Sequence, residues 1–109
     1  MIAEMTREQL RAEYAARLAA TRSDLATLVA ALRLGARQRA EIIAQIEPLR
    51  LYVANVEAAA RRGDLAPSLA DTARQSLTDK EIAIAALDQS LAEQRAALEL
   101  AVGALEETW

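Results

Sequence analysis

Arg61-Arg62-Gly63-Asp64-Leu65-Ala66-Pro67-Ser68 is the stretch that decides the fold. Gly63 can take the left-handed backbone that ends a helix, and Arg61 and Arg62 complement the negative end of a helix stopping there. Pro67 suits the first turn of a following helix, where its absent N–H is not missed. The chain holds only three Gly and two Pro, so this cluster is its strongest breaker. The chain is therefore expected to reverse here. One arm covers about residues 5–62, the tip about 63–67 and a second arm about 67–107.

On the N-terminal side, apolar residues recur in alternating steps of three and four. They run Tyr14, Leu18, Thr21, Leu25, Leu28, Leu32, Gly35, Arg39, Ile42, Ile46, Leu49, Val53, Val56, Ala60, and only Thr21, Gly35 and Arg39 interrupt their apolar character. Such a 3.5-residue repeat marks a coiled-coil seam. Beyond the tip, Leu77, Ile84, Leu91, Leu98 and Leu105 recur every seventh residue. Beside them runs a column of small residues, Ser76, Ala83, Ser90, Ala97 and Ala104, which lets another helix approach closely. Reversal at the tip sets Val53 against Leu77, Ile46 against Ile84, Leu32 against Leu98 and Leu25 against Leu105. It also brings Arg39 near Leu91 and Gly35 near Gln94. Residues 1–62 carry ten basic and seven acidic side chains, and residues 64–109 carry three and nine, so the arms have opposite net charge. The expected fold is all-α, a long antiparallel coiled-coil helical hairpin. A break near Gly35 would instead give a three-helix bundle of 5–34, 37–62 and 67–107, and Pro48 marks a kink.

Composition narrows the function. The 109 residues are 53% apolar and 27% charged, only 3% aromatic, and include no Cys and no His. The usual zinc ligands, a thiolate nucleophile and an imidazole base are all missing, so an enzyme is not expected, nor a cofactor or metal. Asp79, Glu81, Asp88 and Glu93 read as a solvated face. Arg33, Arg37, Arg39 and Arg50 form a conceivable nucleic-acid stripe, but a net charge of −3 without interleaved aromatics argues against it. No apolar run reaches the roughly 18–20 residues that span a bilayer, so no direct membrane insertion by this segment is expected. Met1-Ile2-Ala3-Glu4 lacks the layout of a signal peptide, which points to a cytosolic protein or a piece of a larger one.

The second arm and the tip carry a resemblance. Ile46-Glu47-Pro48-Leu49 is similar to a Leu-Pro-Leu-like step, and Ala60-Arg61-Arg62-Gly63-Asp64-Leu65 to a Tyr-Arg-Ala-Gly-type tip. Thr72-Ala73-Arg74-Gln75-Ser76-Leu77-Thr78-Asp79-Lys80-Glu81 and the ending Ala97-Leu98-Glu99-Leu100-Ala101-Val102-Gly103 complete the pattern. In this order and spacing, Ile42 to Gly103 resembles the periplasmic α-hairpin of TolC-type outer-membrane efflux proteins. Ala60 departs from the family's aromatic and Thr72 from its Asp, with Asp71 one place early. Strand segments for a membrane barrel and a second repeat are also missing.

The resemblance implies a transport component, the periplasmic part of an outer-membrane protein. Its hairpins pack side by side into a tunnel, and their tips meet a periplasmic adaptor (membrane fusion) protein. The implied docking residues are Arg61, Arg62, Gly63, Asp64, Leu65 and Ser68. Self-association as a homo-oligomer is expected through Tyr14, Leu18, Leu25, Ser76, Ala83 and Ser90, because Tyr14 and Leu18 lie beyond the reach of the shorter second arm. The alternative is a stand-alone cytosolic coiled-coil scaffold or export chaperone that self-associates through Tyr14 to Leu32.

Overall fold

The computed structural model describes residues 2–108, with side chains from 6 to 107. Two helices account for nearly all of it: α1, Ile2–Arg61, and α2, Pro67–Thr108. Among the described residues there is no strand. The protein is an all-α helical hairpin. Ala, Leu, Glu, Gln and Arg dominate both helices, and all are strong helix formers.

The break near Gly35 does not occur, and α1 runs through it without interruption. Gly35 is fully buried, and a Cβ built on it would lie 2.7 Å from Leu91 Cδ2. The glycine therefore serves close packing rather than a turn. This corrects the expected neighbours, because Leu91, not Gln94, fills the space over Gly35. Arg39 reaches Asp88 on α2 with its Nε. Pro48 also lies inside α1, at an exposed position where water can reach the Ala44 carbonyl that loses its partner.

The chain divides into two compact units. The tip unit is Leu34–Ala92. Its core is Val53, Val56, Ala70 and Ala73, with Leu49, Ala60 and Leu77 packed against it. Two branched side chains on α1 thus meet two alanines on α2, the large-against-small match that lets helices approach. Ile46 and Leu91 are buried in the same unit, at 8% and 5% exposure. Fully burying such a side chain stabilises by about 2 kcal/mol. Arg74 Nε meets Glu57 Oε1 at 3.1 Å across the helices.

The base unit is Met1–Arg33 with Glu93–Trp109. The same heptad continues here, and Leu18, Thr21, Leu25, Leu28 and Leu32 on α1 are half-buried, as are Leu98, Ala101 and Leu105 on α2. Among the described residues of this unit none is fully buried. Residues 6–17 are all exposed, so the uncovered stretch of α1 ends one step before Leu18.

Candidate functional site

The turn builds the tip. The Gly63 N–H donates to Ala60 O at 3.1 Å, and the Asp64 N–H donates to Ala59 O at 2.9 Å. This pair of bonds is the Schellman arrangement, which satisfies carbonyls that a helix end leaves free. It requires a left-handed residue, and Gly63 has φ of 81°, the one positive φ among the described residues. Arg62 Nε bridges the turn to Asp64 Oδ2 at 3.2 Å.

The start of α2 is less well finished. Ala66 stands at the N-cap position and its carbonyl accepts from the Leu69 N–H at 3.0 Å, but its side chain offers no acceptor to the helix end. The first turn of α2 also lacks an acidic residue to offset its dipole. A shallow groove beside it is lined by Glu57, Ala60, Arg61, Pro67, Ala70 and Arg74. Arg74 is engaged on both sides, by Glu57 and by Asp71 Oδ1 at 3.2 Å. Arg61 is exposed at the groove's edge.

The six tip residues named from the sequence, Arg61, Arg62, Gly63, Asp64, Leu65 and Ser68, therefore lie together on one turn, all exposed. Ser68 uses its carbonyl to accept the Thr72 hydroxyl at 2.9 Å. The residues named for self-association divide between the units. Tyr14, Leu18 and Leu25 belong to the base unit, where Tyr14 is exposed and the two leucines are half-buried along the seam. Ser76, Ala83 and Ser90 belong to the tip unit, where Ser76 is exposed, donates its hydroxyl to Thr72 O at 3.2 Å, and the other two are half-buried.

Several charged side chains are occupied locally. Arg50 pairs with Glu47 at 2.7 Å, and Asp79 accepts from Gln75 at 2.8 Å. With Arg39 on Asp88, two of the four arginines of the conceivable nucleic-acid stripe are held by carboxylates. Among the described residues no three metal-capable side chains converge. What the tip can do chemically is to donate and accept hydrogen bonds end to end with another helical surface. The exposed α2 start and Arg61 favour carboxylates or the carbonyl end of a partner helix.

One apolar residue escaped the heptad reading. Leu10, 60% exposed, stands one position off the repeat, yet lies four residues before Tyr14 and shares its face. The i, i+4 spacing was the available signal. No helix of the described residues is long and apolar enough to cross a membrane. Compared with family models, with curated proteins and with solved structures, the chain finds no match in any of the three.

Proposed function

We propose that the chain is a structural component that works through helix–helix contact, serving as the tunnel hairpin of a TolC-like outer-membrane efflux channel. In this reading the tip docks a periplasmic adaptor and the arms pack against their own copies, with no chemistry performed on the transported substrate. One observation carries the reading: a hydrogen-bonded Schellman turn leaves Arg61, Arg62, Asp64 and Leu65 exposed beside a helix start with no side-chain cap. The order and spacing of residues from Ile42 to Gly103 add the family to that shape.

The test places a photo-reactive residue at Leu65 in cells that make the protein, with the same residue at Leu51, ten residues before the end of α1, as control. Capture of a periplasmic adaptor from Leu65 and not from Leu51 supports the reading. Absence of adaptor capture at Leu65, with the protein fractionating in the cytosol, overturns it. The second reading, a cytosolic self-associating scaffold, draws on a different observation, the half-covered seam of the base unit.

A further inference from the structure

We propose that the base unit carries two complementary faces through which a second copy of this chain docks reciprocally. The first face lies on α1, where Arg7, Leu10, Arg11, Glu13, Tyr14 and Arg17 line a shallow groove. Leu10 is 60% and Tyr14 45% exposed, so two large apolar groups stand among three cations and one acid. The second face lies on α2, lined by Ala96, Glu99, Leu100, Gly103, Ala104 and Glu107. It is small in its side chains and purely acidic in its charge, with Leu100, at 75%, the most exposed large apolar side chain among the described residues.

Gly103 is the informative residue. It sits inside α2 with no positive φ, and a Cβ built there would meet nothing within 4 Å. A helical glycine is less stable than alanine, and nothing in the chain's own packing asks for one. A partner helix that comes close would ask for it. The face looks away from the α2 seam of Leu98, Ala101 and Leu105, so α1 of the same chain cannot fill it. The complement in both size and sign is the Leu10–Tyr14 face.

Geometry makes the exchange mutual. The helices are antiparallel, so a two-fold axis that reverses α1 sets its first turns parallel to the partner's α2. With Tyr14 placed over Gly103 of the partner subunit, Leu10 meets the small and apolar side of the groove and the arginines fall beside its glutamates. Both contacts then form at once, as an isologous interface requires. The contact does not rest on the tip docking an adaptor.

Sedimentation of the purified full chain over a range of concentration and salt tests this. The expected result is a dimer that weakens as salt rises. Residues 6–17 are all exposed, so L10A with Y14A should leave the hairpin folded and weaken dimerisation about tenfold. Arg11→Glu with Arg17→Glu should abolish self-association, and so should Glu99→Arg with Glu107→Arg. An equimolar mixture of those two variants should dimerise again, because each face then meets its opposite sign. Gly103→Leu should raise the melting temperature and weaken the dimer together. A chain that stays monomeric throughout, a dimer indifferent to these changes, or a mixture that fails to reassociate would each overturn the proposal.

Discussion

The two units share one heptad and differ in what they do with it. In the tip unit, Val53, Val56, Ala70, Ala73, Ile46 and Leu91 are buried, whereas the leucines of the base unit are only half-covered. Leucine is no less apolar than valine, so hydrophobicity is not the cause. Near the turn, branched residues meet alanines and the helices close on each other, with cross-helix pairs Arg74–Glu57 and Arg39–Asp88 flanking the seam. In the base unit the half-buried seam is mostly leucine on both helices, Leu18, Leu25, Leu28 and Leu32 on α1 with Leu98 and Leu105 on α2. A seam spacing therefore fixes direction and register, and it takes size matching to make a core.

The largest expected effect breaks the comparison at its strong end. Val53 is 5% exposed, so Val53→Asp places a carboxylate in the core and should cost about 4 kcal/mol of stability, read from denaturant unfolding. Leu28→Asp, on the half-buried seam of the base unit, should cost about half as much by the same measure and should also disturb association. Equal losses at the two sites would erase the distinction between the units.

Next comes the turn. Gly63 holds φ of 81°, and Gly63→Ala should lower stability by about 1 kcal/mol in thermal unfolding. A change of opposite sign lies three residues on. Ala66→Asp gives α2 a side-chain acceptor at its N-cap and a favourable charge at its dipole, and should add about 1 kcal/mol.

The fold was legible in the sequence where chemistry is local. Gly63 and Pro67 announce the turn without reference to any distant residue, and the three–four spacing of the first arm with the seven-residue repeat of the second identifies the seam. Gly35 was legible as an irregularity but not as a contact. Spacing aligns equivalent positions across the seam, and only the reach of Leu91 shows why a side chain is missing there. Arg39 was legible as a charge interrupting the seam, and its partner Asp88 on the opposite helix shows only in the fold. The tip residues could be located because a turn must be exposed. What they bind leaves no trace in burial or spacing, since exposed side chains are shaped by a partner the chain does not contain. Leu10 was passed over, and Gly103 was read only as part of the family pattern, for a related reason. Both lie off the seam columns, where the repeat carries no information.

The smallest effect sharpens the comparison at its surface. Arg39 and Asp88 are 39% and 51% exposed, so Asp88→Asn should cost no more than about 0.5 kcal/mol, and less in high salt. A larger loss would mean that ion pairing, rather than the Val and Ala packing, distinguishes the tip unit.

Amide hydrogen exchange on the dilute, unassociated chain addresses the contrast between the units most directly, because local opening follows local burial. The amides of Val53, Val56 and Ala73 should exchange at least about tenfold more slowly than those of Leu25, Leu28 and Leu98. Equal protection along both seams, or faster exchange near the tip, would contradict the claim that one repeat is closed into a core at one end and left half-covered at the other.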